Sequence, residues 1–205
     1  MKILFIAPYI TTDIHKSFYT KSKQTGFGYM VYDIADYVGR KEEVDLFATV
    51  IMSPTLHADH FKIVGHNYFS MLRCFNIRST KEAICFLRKY RYNSIISKIK
   101  TIFKFIIVSQ LDSIIENYDI VHIHGVTEDL GSVMEMCKNH NVKFMVTLHG
   151  LIGFSEETTI NEEPGLVQYE KDFLVTAAQD NIPVTFISSG IKDIAESYVI
   201  KKLSE

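Results

Sequence analysis

Short apolar segments alternate along this chain with longer segments of helical periodicity, and this alternation restricts the fold more than any other feature. Apolar runs typical of buried strands occur at residues 2–7, 44–50, 119–124, 142–148 and 183–187, with a weaker one at 60–65. Strands that alternate with helices form parallel sheets with helices packed on both faces. We therefore predict an α/β fold: one three-layer, Rossmann-like domain over residues 1–205 with a mostly parallel sheet.

The helical segments show apolar residues that recur every three or four positions. The clearest pattern runs from Phe27 to Val38, and Gly39 is placed to end that helix. Further helical patterns follow at residues 66–117 and 128–139, from Pro164, and after Ser189. Glu128 and Asp129 suit the amino end of their helix, where negative charge is favourable. The last helix is expected to bury Ile191, Ile194, Ala195, Tyr198 and Val199.

Composition excludes some classes of function. The formal net charge is −2, so no overall positive field attracts nucleic acid, and we expect no nucleic-acid partner. The three cysteines, Cys74, Cys85 and Cys137, lie far apart without a C-x-x-C pair, which predicts buried thiols in a reducing compartment. The opening apolar run has no small-residue cleavage site, and no stretch approaches the roughly 18 apolar residues of a membrane span. We therefore expect a cytoplasmic location.

Glycine and histidine residues stand where three of the predicted strands end. They are Gly26, Phe27 and Gly28 of "TGFG", His122, His124 and Gly125 of "YDIVHIHG", and His149 and Gly150 of "VTLHG". In an open parallel sheet the carboxyl ends of the strands share one edge, and ligands bind there where the connections diverge to the two faces. We therefore expect these residues to surround a ligand.

The glycine turn at the start of the first helix is a candidate phosphate site. The amino end of a helix offers free N–H groups and partial positive charge, and glycine lets a ligand approach the backbone. A plain tight turn is the alternative. The dinucleotide fingerprint G-x-G-x-x-G is incomplete because Val31 replaces its last glycine, and no acidic residue ends the second strand. Ordinary dinucleotide binding is therefore disfavoured.

The histidines could bind a metal, fill the core or contact a ligand. Neither cysteine nor carboxylate joins His122, His124 and His149 at ligand spacing, so we predict no metal site and no cofactor. We expect His122 to be a core histidine bonded to the adjacent backbone, and His124, at the strand end, to face a cleft. His149 can donate to a hydroxyl or carbonyl-type oxygen, although a turn histidine without a ligand is the alternative.

A basic helical region between residues 81 and 104 allows two interpretations. Its cations are Lys81, Arg88, Lys89, Arg91, Lys98, Lys100 and Lys104, and its apolar face comprises Ile95, Ile96, Ile99, Ile102, Phe103, Ile106 and Ile107. Such a helix can lie on an anionic membrane surface. The alternative is a solvated charged face over a stripe that packs on the core. Peripheral contact with the inner face of a membrane is therefore one hypothesis for this region.

The order of these motifs resembles one enzyme family, the amino-terminal domain of glycosyltransferase family 4. The matching pieces are an opening strand, a glycine turn into "YMVYDIADYV", then "YDIVHIHG", "VTLHGL" and "VTFISSGIKDI". Family members are retaining enzymes of the two-domain GT-B architecture. The resemblance spans nearly the whole chain and is weakest over residues 51–117. Nucleophile elbow, P-loop and H-E-x-x-H motifs are absent from the sequence.

The resemblance implies roles for individual residues. The amino-terminal half of these enzymes mainly binds the acceptor, which is a glycan or a lipid-linked molecule, and the nucleotide-sugar donor binds across the cleft. By resemblance, His149 contacts the transferred sugar near the reacting centre and is the catalytic candidate. The residues implied near the donor phosphates are Gly26, Phe27, Gly28 and Gly150. Those implied near the acceptor are His124, Gly125, Lys16 and Lys21.

The family also has a second, donor-binding domain with a basic pair and a glutamate, which these 205 residues do not include. Electrostatic stabilisation of developing charge is often the largest catalytic term, and one lost donor can cost about 100-fold in rate. We therefore predict that these residues alone have little or no transferase activity. Two alternatives remain: a stand-alone module that binds a sugar or phosphate, and another α/β nucleotide-binding enzyme.

Overall fold

The computed structural model describes residues 1–10, 26–50, 55–66, 77–154 and 162–204. Its strands are β1 (Lys2–Ala7), β2 (Glu43–Ala48), β3 (Leu56–His57), β4 (Lys62–Ile63), β5 (Ile120–His124), β6 (Lys143–Leu148) and β7 (Val184–Phe186). Its α-helices are α1 (Gly26–Gly39), α2 (Ile77–Lys89), α3 (Ile95–Val108), α4 (Leu130–Asn139), α5 (Pro164–Gln179) and α6 (Ser189–Leu203). Short 3₁₀ helices lie at Ser109–Ser113, Ile115–Asn117 and Ile152–Phe154.

The strands form one sheet in the order β3-β4-β2-β1-β5-β6-β7, and the predicted α/β class with a mostly parallel sheet is confirmed. Only β3 is antiparallel: it forms a small hairpin with β4, which is the weak strand expected at 60–65. From β1 the chain builds outwards through β2 and β4, and it then returns to place β5 on the other side of β1. The strand order therefore reverses between β1 and β5.

The core has two layers because side chains alternate along each strand. Leu4 and Ile6 of β1 face a layer that includes Ile107 of α3, Val133 of α4 and Phe173 of α5. The opposite face of β1 carries Ile3, Phe5 and Ala7, which pack with Val31 and Ala35 of α1. The α1 pattern predicted from the sequence is confirmed, and Gly39 is its last residue.

Two expectations about burial are wrong, those for Ile194 and Cys85. Ile194 on α6 is exposed, and Ala195 is the one buried residue of that helix. The apolar face of α3 packs on the core only along its second half, so Ile106 and Ile107 are buried whereas Ile95, Ile96 and Ile99 are exposed. Cys137 is a buried thiol as expected, but Cys85 is exposed. Cys74 lies outside the described residues.

Among the helices of the described ranges, none combines the length and the apolar character needed to cross a bilayer.

Candidate functional site

The glycine turn of α1 and the end of β6 meet at the carboxyl edge of the sheet. The ring of Phe27, in the first turn of α1, lies edge-on to the ring of His149 with their centroids 4.8 Å apart. A Cβ atom built on Gly125, which follows β5, would lie 3.9 Å from the Phe27 ring. Residues distant in the sequence therefore converge where the strand order reverses, which is the usual ligand position in open α/β sheets.

The backbone at this rim is open on two sides. Gly26 and Gly150 are exposed, and a Cβ atom at either would have no described atom within 4 Å. Gly28 differs, because it is buried within α1. Gly125 has a φ of +83°, a conformation that favours glycine, and its N–H donates to the carbonyl of Thr147 at 2.8 Å. The rim thus combines a fixed turn at Gly125 with open backbone at Gly26 and Gly150.

His124 and His149 form a hydrogen-bonded pair. His124 Nδ1 and His149 Nε2 are 2.9 Å apart, and the two rings are nearly stacked at 31° with centroids 5.1 Å apart. His124 is only 1% exposed, so the expectation that its side chain faces a cleft is wrong. The reason is the pleat: alternation on β5 turns its side chain onto the sheet face shared with Phe5, whose ring is 5.1 Å away.

His122 begins a second polar chain that crosses three strands. Its Nε2 lies 2.6 Å from the hydroxyl of Thr147 on β6, which in turn lies 2.6 Å from the hydroxyl of Thr185 on β7. His122 is half-buried, and its partner is a side chain rather than the adjacent backbone that we expected. The threonines were missed because a lone hydroxyl in a strand gives no sequence signal until the register is known.

Burial keeps these histidines neutral. Loss of hydration, together with the neighbouring His122 and His149, lowers the pKa of His124 to about 2. Burial and the nearby His149 lower the pKa of His122 to about 4. Burial also lowers the pKa of His149 below its usual range. At neutral pH the imidazoles therefore act through hydrogen bonds and not as cations.

Both ring nitrogens of His149 are withdrawn from solvent in this conformation. Nε2 is bonded to His124, and Nδ1 is buried without a hydrogen-bond partner among the described residues. A buried polar atom without a partner costs about 1–3 kcal/mol, so it marks a place where a ligand group or water can be accommodated. His149 itself is half-buried and directly precedes the exposed Gly150 at the rim.

A buried carboxylate holds the loop that follows His149. Glu170 of α5 is 3% exposed, and its two oxygens accept hydrogen bonds from the backbone N–H groups of Ile152 at 3.1 Å and Gly153 at 2.8 Å. This contact fixes the direction in which the chain leaves β6. Glu170 was missed from the sequence, where a glutamate among the apolar positions of a helix was the available signal.

A buried ion pair holds the loop after β5. Glu128 contacts Lys104 of α3 through Oε2 and Nζ at 2.5 Å, and its other oxygen lies 3.4 Å from the hydroxyl of Thr101. Glu128 thus stands directly before the N-cap residue of α4, and its carboxylate also connects this end of the helix to α3. Asp129 does occupy the N-cap position of α4, but its side chain makes no capping hydrogen bond. Burial raises the pKa of Asp129.

The remaining predicted residues and grooves lie elsewhere. Lys16 and Lys21 fall outside the described residues. Across the described ranges, no group of three or more histidine, cysteine or acidic side chains could hold a metal ion. An apolar groove of about 280 Å³ between α5, α6 and β7 is lined by residues such as Leu174, Ile182 and Val199. It lies at the outer edge of the sheet and shares no residue with the histidine site.

Comparison of this chain with models of protein families, with curated proteins and with solved structures finds no match. Its function must therefore be inferred from the sequence motifs and the geometry of the site.

Proposed function

We propose that residues 1–205 form the acceptor-binding half of a retaining glycosyltransferase, which moves a sugar from a nucleotide-sugar donor to a glycan or lipid-linked acceptor. The observation that carries this proposal is the contact between Phe27 and His149 at the point where the strand order reverses. It joins the glycine turn and the "VTLHG" motif, two of the pieces on which the resemblance to glycosyltransferase family 4 rests. In an unrelated α/β domain, the glycine turn and the "VTLHG" motif would have no reason to lie in contact.

The chemistry of the rim suits a neutral, hydroxyl-rich ligand beside a phosphate. The first turn of α1 directs N–H groups and partial positive charge towards the open edge at Gly26. His149, uncharged at neutral pH, offers a hydrogen bond to a sugar hydroxyl or to the oxygen at the reacting centre. A second domain, implied by the resemblance, would supply most of the donor contacts.

An activity assay separates this proposal from its two alternatives. The product of the complete reading frame is incubated with uridine, adenosine and guanosine diphosphate sugars and with glycan and lipid-linked acceptors. We expect release of the nucleoside diphosphate and a product of retained anomeric configuration, with little or no turnover by the 205-residue chain alone. Turnover by the 205-residue chain would contradict the proposal that a second domain supplies most of the donor contacts.

Binding measurements then identify which alternative applies if no transfer is seen. Micromolar binding of a nucleotide to the 205-residue chain, measured by titration calorimetry, would favour another α/β nucleotide-binding enzyme. Binding of a sugar or inorganic phosphate, with no turnover by the complete product, would favour a stand-alone binding module. Either result would overturn the transferase assignment.

The α2–α3 region supplies a surface suited to an anionic membrane. At the amino end of α3, Ile95 is 72% exposed, Ile96 66% and Ile99 49%, and the neighbouring Lys98 and Lys100 are also exposed. Apolar side chains beside lysines match the acyl boundary and the anionic headgroups of a bilayer. We therefore propose that this isoleucine patch (Ile95, Ile96 and Ile99) rests on an anionic membrane.

The isoleucine patch lies on the same edge of the sheet as the histidines. The carboxylate of Glu163, immediately before α5, accepts hydrogen bonds from the backbone N–H groups of Asn93 at 2.9 Å and Ser94 at 3.3 Å. Because α5 follows β6, its amino end lies at the carboxyl edge of the sheet. A membrane contacted by the patch would therefore be on the side of the molecule where a lipid-linked acceptor must arrive.

Liposome flotation tests the membrane contact. We expect the 205-residue chain to float with vesicles that contain phosphatidylglycerol, and less with phosphatidylcholine alone. Replacement of Ile95, Ile96 and Ile99 by serine should abolish flotation. In the control variant, Ile194 and Ile200, which are similarly exposed on α6, are replaced by serine. This variant should float like the wild type. A wild-type chain that does not float, or a triple variant that still does, would reject the contact.

A further inference from the structure

His124 is the one fully buried histidine of the rim, and the only hydrogen bond of its side chain among the described residues runs to His149. We propose that His124 is a positioning residue: its Nδ1–H donates to Nε2 of His149, which orients that ring and leaves the proton of His149 on Nδ1. The role that this assigns to His149 rests on the proposed transferase function, but the hydrogen-bond geometry does not.

The ring of His124 is held in place by aromatic neighbours. The Phe5 ring lies 5.1 Å from it on β1, and the His122 ring is stacked on it at 4.2 Å on the same strand. Phe5 pairs with His122 in the parallel register of β1 and β5, so all three rings sit over regular backbone. Because His124 cannot turn without displacing these rings, the direction of its hydrogen bond is set by the sheet.

Burial decides which histidine donates. Two arrangements are possible, in which either His124 or His149 donates the hydrogen bond between the rings. In both, His124 Nε2 and His149 Nδ1 have no partner among the described residues, and one of these two atoms carries a proton while the other carries a lone pair. If His149 donated, the unpaired N–H would sit on Nε2 of His124, a residue that is only 1% exposed and packs against the rings of Phe5 and His122. If His124 donates, the unpaired N–H sits on Nδ1 of His149, which is also buried in this conformation, but His149 as a residue is half-buried and precedes exposed Gly150 at the rim. Unpaired buried N–H groups are rare in proteins, so the second arrangement is favoured.

This arrangement fixes what His149 can do. Its Nε2 lone pair is occupied by His124, so His149 cannot remove a proton from an acceptor hydroxyl through that nitrogen. Its Nδ1–H can donate to an oxygen that gains negative charge, which is the stabilising role of an oxyanion donor. His124 is itself kept neutral by burial, so it acts as a fixed donor and does not exchange charge with its partner. His149 is therefore a hydrogen-bond donor and not a general base.

Nitrogen-15 NMR of the histidine rings tests the assignment on the 205-residue chain without any substrate. In the wild type we expect His149 to show a protonated, pyrrole-type Nδ1 and an unprotonated, pyridine-type Nε2, which is the tautomer that free histidine disfavours. His124→Phe keeps a ring in the stack and removes the donor, so the pyrrole-type Nδ1 signal of His149 should be lost in favour of the Nε2–H form. His124→Asn places an amide donor near the Nδ1 position and should retain part of that signal.

His122→Phe is the matched control, because His122 stacks on the same ring but is bonded to Thr147. It should leave the tautomer of His149 unchanged. An Nε2–H tautomer in the wild type, or an unchanged tautomer in His124→Phe, would overturn the inference; if that variant does not fold, the wild-type spectrum and His124→Asn still decide. If the complete protein shows no transferase activity but His149 has the Nδ1–H tautomer, the proposed transferase function is overturned and the positioning role of His124 stands.

Discussion

One face of the sheet is built in two different ways on either side of β1. Over β1 and β2 it is apolar: Phe5, Val44 and Leu46 are buried against α1. Over β5 to β7 the same face carries His122, His124, Thr147 and Thr185, joined to each other or to His149 by hydrogen bonds. The opposite face of these strands is uniformly apolar and packs on α3 to α6. This polar half-face lies beside the point of strand reversal, where the proposed function places the ligand.

The comparison teaches that the two halves are stabilised by different forces. Burial of Leu46 contributes through the hydrophobic effect and needs only a matching volume in α1. The polar half depends on direction, because each buried imidazole or hydroxyl must find a partner at bonding distance. The following predictions test that difference, from the largest expected effect to the smallest.

Leu46→Ala should have the largest effect on stability. Leu46 is fully buried, so truncation leaves a cavity under α1, and we expect a loss of about 2–5 kcal/mol in the free energy of unfolding. Chemical denaturation followed by circular dichroism measures it. Leu203→Ala on exposed α6 is the control and should change stability by no more than about 0.5 kcal/mol. Equal losses in both variants would show that the apolar half-face is not a tightly packed core.

His149→Ala should lower turnover of the complete enzyme by about 100-fold, because a hydrogen-bond donor to an oxygen that gains charge typically contributes this much or more. Acceptor binding should weaken far less, since the proposed role of His149 is at the transferred sugar and not at the acceptor. Steady-state kinetics with varied acceptor separates the two effects. His57→Ala, on exposed β3, should retain the wild-type rate. An unchanged rate in His149→Ala would remove this histidine from the site.

Acid should destabilise the polar half-face first. Folded His122 and His124 have pKa values of about 4 and about 2, below the ordinary value of 6.5, so the unfolded chain binds protons more readily. The two histidines therefore contribute their full stabilisation above pH 6.5. As the pH falls towards 4, the free energy of unfolding decreases by up to about 1.4 kcal/mol per pH unit for each histidine.

The variant His124→Phe isolates the contribution of one histidine, because the carboxylates titrate alike in both proteins. We expect the slope of unfolding free energy against pH, between pH 6 and 4.5, to be smaller by about 1.4 kcal/mol per pH unit than in the wild type. Urea denaturation at a series of pH values measures it. Parallel curves would mean that His124 is not held neutral by burial.

Thr147→Val should have the smallest effect. The change keeps the volume but removes the hydroxyl between His122 and Thr185, and we expect a loss of about 1 kcal/mol. Thr185→Val, at the exposed end of the same chain, should cost less because water replaces the lost partner. Denaturation curves that rank these two variants in the opposite order would contradict the hydrogen-bond chain inferred across the three strands.

Most of the fold could be predicted from the sequence because its signals are local. The apolar strands, the period of α1, its end at Gly39 and the start of α5 at Pro164 were each encoded within a few residues. Burial on α6 and on the first half of α3 could not be predicted, because helical periodicity gives a face but not what covers it. Ile194 and Ile95 carry the pattern of core residues and are exposed.

The site could be predicted in outline only. The convergence of Phe27, Gly125 and His149 follows from the rule that parallel strands share an edge. The sheet face that His122 and His124 occupy depends on the pleat of β5, and a shift of one residue would have moved both to the other face. The partners Thr147 and Glu170 depend on register and helix placement, which a single sequence does not specify.

An NMR titration of the 205-residue chain with nucleotide sugars most directly tests the central claim that the rim binds the ligand. Uridine, adenosine and guanosine diphosphate sugars are added to the uniformly nitrogen-15-labelled chain, and the amide resonances are followed up to millimolar concentrations of the sugar nucleotide. We expect weak, saturable shifts confined to the glycine turn at Gly26–Gly28, to Gly125 and to His149–Gly150. Unchanged resonances there with every sugar, or shifts confined to the apolar groove between α5 and α6, would contradict the account.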